Sequence, residues 1–129
     1  AAEELERGAI IVVAPEGTRS GSGRLQRANA GIVTLAARTG VPILPIAHFG
    51  GERVWSSLRR GRRTIVTVRV GEPIHVVTNG NRSLSRAARD SYLAEVMHSL
   101  ARLLPERYRG YYRDAVSAPR YGLSIQSDW

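Results

Sequence analysis

Ala9-Ile10-Ile11-Val12-Val13-Ala14-Pro15-Glu16-Gly17-Thr18-Arg19-Ser20 is the stretch from which the chain is best read. Its apolar start has the length and β-branching of a buried strand, expected over Ile10–Ala14. Pro15 cannot donate to a ladder, so the strand should stop there. Gly17 reaches backbone angles closed to other residues and lets a ligand approach the main chain. Glu16 brings a carboxylate, Thr18 and Ser20 hydroxyls, and Arg19 a planar five-donor fork. Such groups, converging on a turn at a strand's C-terminal end, suit a phosphate and a neighbouring hydroxyl. The competing reading is a strand-ending turn with a Glu16–Arg19 surface pair of little energetic value.

Working outward, Ala2 to Arg7 reads as a helix end punctuated by Gly8. A helix is expected from Asn29 to Thr39, with Ala28, Ile32, Leu35 and Ala36 on one face and Gly40 just past its end. Val41 to Phe49 is a second strand, made irregular by Pro42 and Pro45. Strand, helix and strand in succession fit a right-handed crossover onto a parallel sheet. Thr64 to Val70 alternates around Ile65, Val68 and Val70 and predicts a further strand. Ser83 or Ser85 is placed to cap a helix whose core face carries Tyr92, Val96, Met97, Leu100, Ala101 and Leu104, with Pro105 ending it. From Gly110 onward the pattern is irregular.

Pro15-Glu16-Gly17-Thr18-Arg19-Ser20 resembles the third conserved block of the glycerolipid acyltransferases, the lysophosphatidic acid (1-acyl-glycerol-3-phosphate) acyltransferase family. Val41-Pro42-Ile43-Leu44-Pro45-Ile46 is similar to that family's fourth block, and Gly71-Glu72-Pro73-Ile74 follows at the family's spacing. The resemblance runs from about Leu5 to Gly110. It implies an α/β domain: a partial glycerol-3-phosphate acyltransferase-like fold, its sheet mixed and mostly parallel with flanking helices. Residues 1–110 would form the C-terminal part of that domain, and 111–129 a loosely ordered tail.

The same resemblance implies transfer of a fatty acyl group from acyl-coenzyme A or acyl carrier protein to the hydroxyl of a lysophospholipid or of glycerol-3-phosphate. Glu16, Gly17, Thr18, Arg19 and Ser20 would bind the acceptor, with Arg19 on its phosphate. Pro42 and Ile43 would help wall the acyl or acceptor pocket. No resident cofactor is implied; the thioester is a substrate. The expected setting is cytoplasmic and peripheral, at the cytoplasmic face of an anionic membrane surface. The family's general base is a His oriented by an Asp five positions later. Here His48, His75 and His98 are followed at that distance by Arg53, Gly80 and Leu103. The catalytic pair is therefore expected before Ala1, the chain carries no catalytic residue, and alone it is expected to be inactive.

Bulk properties bound the alternatives. The chain has 129 residues, is 43% hydrophobic and 23% charged, and suits one domain with a modest core. The absence of cysteine excludes disulfides, thiolate metal sites and a cysteine nucleophile. There is no Gly-x-Ser-x-Gly elbow, no His-Glu-x-x-His metal motif and no Walker loop. No window approaches the roughly 18 apolar residues of a membrane span. The formal charge is +8, and all 19 basic residues are Arg, a uniformity that points to codon bias more than to separate demands for a guanidinium. The surplus itself favours anionic partners. Arg59-Arg60-Gly61-Arg62-Arg63 is the densest cluster, read either as a solvated turn or as a contact for lipid headgroups. The rivals are a basic nucleic-acid-binding module and a noncatalytic acyltransferase relative. Aromatic content of 6% and the lack of a recognition-helix pattern weigh against nucleic acid as a partner.

Overall fold

The computed structural model describes residues 1–18, 22–115 and 123–128. The chain is a small α/β protein. In order come α1 (Ala2–Glu6), α2 (Gly31–Thr39), β1 (Ile46–Phe49), α3 (Val54–Arg59), β2 (Ile65–Val70), α4 (Arg86–Leu103) and β3 (Leu123–Asp128), with short 3-10 turns at Gly51–Arg53, Glu106–Tyr108 and Gly110–Ala115.

The sheet differs from the expectation of a mostly parallel one. Its order is β1-β2-β3, and both pairings are antiparallel, with Ile46 opposite Val70 and Val68 opposite Ile125. The β1–β2 hairpin continues past an interruption to a bridge between Ile43 and Ile74, whose amides and carbonyls exchange bonds of 2.9 and 2.8 Å. Pro45 and Pro73 supply no amide to the intervening ladder, which is why β1 starts only at Ile46.

The second correction concerns Ile10–Ala14. It is not a strand and not buried: Ile10 is 93% and Val12 94% exposed. A strand exists only where a neighbour takes its amides and carbonyls, and among the described residues none lies alongside in a ladder. The parallel crossover onto β1 therefore does not form here.

The helices follow the sequence closely. Gly40 ends α2 in the left-handed conformation, its amide donating to Ala36 O at 2.8 Å. Ser85 caps α4 by accepting from the Ala88 amide at 3.1 Å. The core lies where α2, α4 and the hairpin meet: Ala36, Ile43, Ile74, Val96, Met97 and Leu100 form one buried cluster. A smaller cluster joins Ala47, Leu103 and Leu104 to Leu25, Phe49 and Tyr108, and so ties the loop before α2 to the C-terminal segment.

Candidate functional site

The corner predicted at Pro15 forms as a tight turn. The Gly17 amide donates to Ala14 O at 3.0 Å, and Gly17 takes a φ of +72°. Glu16 keeps a negative φ, so the geometry is a turn with Pro15 at its second position and a left-handed glycine at its fourth. A side chain at Gly17 would be strained in any case, and its Cβ would lie 3.5 Å from Asn29 Nδ2.

Two contacts fix the corner against the chain that follows. The Gln26 amide donates to Glu16 Oε2 at 2.7 Å, a short charge-assisted bond across ten residues. The Asn29 amide donates to Pro15 O at 3.1 Å, and Asn29 Oδ1 in turn accepts from the Gly31 amide at the start of α2. Glu16 is thus half-buried with one oxygen engaged, and Thr18 is exposed beside it. The arrangement leaves a carboxylate oxygen, a hydroxyl and open main chain on one turn. Arg19 and Ser20 lie outside the described residues.

The loop 22–28 is strapped from the other side. Leu25 donates its amide to Tyr108 O at 3.0 Å and accepts from the Tyr111 amide at 3.1 Å. Gly110, at φ +50°, allows this approach: a Cβ there would sit 2.2 Å from Leu25 O. Arg27 lies 5.5 Å over the Tyr111 ring. The segment's far end is held too, because the Tyr108 hydroxyl donates to the Glu52 carboxylate. That hydrogen bond, first among the causes, holds the Glu52 carboxyl below its ordinary value. The strap was not legible in the sequence; its one sequence signal is Gly110, between Arg109 and Tyr111.

Pro15 also borders an apolar groove of about 370 Å³ between residues 9–13, the face of α2 bearing Ile32, Leu35 and Ala36, and the 41–46 stretch. Pro42 and Ile43, predicted as pocket walls, both line it. Pro42 is exposed, whereas Ile43 also belongs to the core. The structure thereby brings the acidic corner and the second motif to one feature. The histidines are not part of it. His48 and His75 are exposed, His98 packs edge-on to Tyr112 at 6.0 Å, and none pairs with a carboxylate among the described residues.

Residues 1–48 match the acyltransferase family model. That interval contains α1, the corner, α2 and the second motif, so the resemblance read from the motifs is shown over the groove and its rim. The chain is 40% identical over 75 residues to a chloroplastic 1-acyl-sn-glycerol-3-phosphate acyltransferase of Arabidopsis thaliana, covering 57% of this chain and 21% of that protein. It is 28% identical over 102 residues to a 1-acyl-sn-glycerol-3-phosphate acyltransferase of Pseudomonas aeruginosa, covering 77% of this chain and 39% of the relative. A chloroplastic 1-acyl-sn-glycerol-3-phosphate acyltransferase of Brassica napus is 44% identical over 52 residues, covering 40% of this chain and 15% of that protein. The chain thus spans between about a seventh and two fifths of the length of these relatives. No solved structure matches it significantly.

Proposed function

We propose that this chain supplies the acceptor-holding part of an acyl-transfer site, which moves a fatty acyl group from a thioester to the hydroxyl of a lysophospholipid such as 1-acyl-glycerol-3-phosphate. One observation carries the reading: the Pro15–Thr18 corner, with Glu16 held by the Gln26 amide, stands at the rim of an apolar groove. A lysophospholipid has the same two-part character. Its polar head needs hydrogen-bonding groups, and each methylene of its tail that leaves water contributes about 0.8 kcal/mol.

In the proposed reaction the acceptor oxygen attacks the thioester carbonyl carbon. The new C–O bond forms as the C–S bond breaks, and a general base carries the hydroxyl proton to the departing thiolate. Glu16 orients the acceptor hydroxyl, Arg19 takes the phosphate, and Pro42 and Ile43 exclude water from the chain. The base is assigned to residues outside this chain, since no His here is followed by an Asp five positions on.

The donor is acyl-coenzyme A or acyl carrier protein, and the working place is the cytoplasmic face of an anionic membrane. A surface patch supports the membrane part of this reading. Trp55 and Leu58, one turn apart on α3, are 77% and 66% exposed. Arg59, Arg60, Arg62 and Arg63 follow, all exposed, and no acidic residue occurs between Glu52 and Glu72. An aromatic–aliphatic pair beside a cationic turn has the composition of an interfacial contact, at about 1 kcal/mol per Arg near an anionic surface.

The test is a chimera in which this chain's matching stretch replaces its counterpart in the Pseudomonas aeruginosa relative. Transfer of acyl groups to 1-acyl-glycerol-3-phosphate by the chimera is the expected result, with none from the 129-residue chain alone. A folded but inactive chimera contradicts the proposal.

A further inference from the structure

A second cavity, a polar one, lies at the other end of α2. It measures about 500 Å³ and is bounded by α1, α2, the 81–84 turn and the start of α4. α2 begins at the motif corner, where Asn29 meets Pro15 and Gly17, and runs away from it. Arg38 stands seven residues beyond Gly31, roughly 10 Å along the axis.

Three arginines line this cavity, Arg38, Arg82 and Arg89, the first two exposed and the third half-buried. None has a carboxylate partner among the described residues. The lining holds one acid, Glu6, so the cavity carries a net excess of about two positive charges. Asn81 and Ser83 add polar groups to the rim.

The start of α4 raises the local potential further. α4 has 18 residues, and its first turn contains no acid. Arg86 and Arg89 stand there instead, at the positive end of the helix dipole, where a cation is unfavourable by about 0.3–1 kcal/mol. Arg82 is the one non-glycine with a positive φ among the described residues, at +52°, a conformation costing roughly 1–2 kcal/mol. Its internal contact does not offset that cost, since Arg82 Nη1 lies 3.5 Å from Arg38 O, at the outer limit of a hydrogen bond. The like charges and the cation-loaded helix start are both relieved by one event, the arrival of a multiply charged anion.

We infer that Arg38, Arg82 and Arg89 form a phosphate-binding site distinct from the acceptor corner, taking a phosphomonoester or diphosphate group in bidentate contacts with the guanidinium forks. Such a group comes from a lipid headgroup or from a soluble phosphate compound. The inference rests on the cavity and not on the acyl-transfer reading.

The test is calorimetric titration of the 129-residue chain with inorganic pyrophosphate at low salt, alongside sedimentation with phosphatidylcholine vesicles with and without phosphatidic acid. Arg89→Gln is expected to weaken pyrophosphate binding about tenfold. Arg82→Gly is expected to do the same while melting no lower than the parent, because glycine accepts the positive φ. Glu6→Gln is expected to tighten binding, which a damaged fold does not do. Loss of vesicle binding in the same variants identifies a lipid phosphate as the ligand; loss of pyrophosphate binding alone identifies a soluble one. Binding unchanged in both Arg variants, or weakened only by Arg19→Ala at the distant corner, overturns the inference and leaves the acceptor reading standing.

Discussion

Replacing Gly110 by alanine tests whether the strap behind the motif loop is built as described. The substitution adds one methyl group at φ +50° and places it 2.2 Å from Leu25 O and 3.1 Å from Arg24 Cβ. The backbone term alone is roughly 1–2 kcal/mol for a left-handed alanine. The overlap with a carbonyl oxygen cannot be absorbed by a side-chain rotation, so Leu25 must retreat. It then gives up one or both of its bonds to Tyr108 and Tyr111, at about 0.5–1.5 kcal/mol each. The total comes to about 1.5–5 kcal/mol, a fall in melting temperature on the order of 10 °C for a chain of this size. Gly23→Ala is the control: its φ of +69° is also left-handed, but nothing lies within 4 Å of the added Cβ. Thermal unfolding by circular dichroism compares the two, and the Gln26 amide resonance reports whether the Glu16 contact loosens with the strap. Equal destabilisation by the two substitutions, or a Gln26 resonance unmoved in Gly110→Ala, refutes the reasoning.

Further expectations concern the core, the acid side of stability and the surface. Met97, fully buried in the main cluster, should cost about 2–5 kcal/mol on truncation to alanine, read from denaturant midpoints. Because the folded Glu52 carboxyl lies below its unfolded value, the folded state binds fewer protons in the acid range. The contribution of that contact is therefore complete above the ordinary carboxylate range and is lost as pH falls through and below it. Tyr108→Phe should flatten this acid-side slope of the melting temperature, and an unchanged slope speaks against the bond. Trp55→Ser with Leu58→Ser should lower sedimentation with phosphatidylglycerol vesicles while leaving pyrophosphate binding intact, and full retention of vesicle binding argues against the patch.

What could be read in advance divides along a physical line. The features carried by local chemistry were legible: the glycine that ends α2, the serine that caps α4, the core face of α4, and the Pro15 turn. Each depends on residues within a few positions of one another. What failed depends on partners. Ile10 to Val13 has every attribute of a strand except a neighbour to pair with, and unpaired it stays exposed. The sheet's sense was inferred from a strand–helix–strand order that presupposes that pairing. β3, Leu123–Asp128, was not anticipated; it is paired along the β2 edge, a distant partner. The Glu16–Gln26 and Leu25–Tyr108 contacts use backbone groups, which no residue pattern announces. Of the motif residues, Pro42 and Ile43 line the groove, Glu16, Gly17 and Thr18 follow Pro15 at its border, and Arg19 and Ser20 stand outside the described residues.

The measurement closest to the central claim is the split of kinetic constants in the chimera bearing Arg19→Ala or Glu16→Gln. A corner that grips the acceptor predicts an apparent KM for 1-acyl-glycerol-3-phosphate raised about tenfold or more by loss of the phosphate partner, with the KM for the acyl thioester unchanged. Equal losses toward both substrates, or no change toward either, would contradict the account.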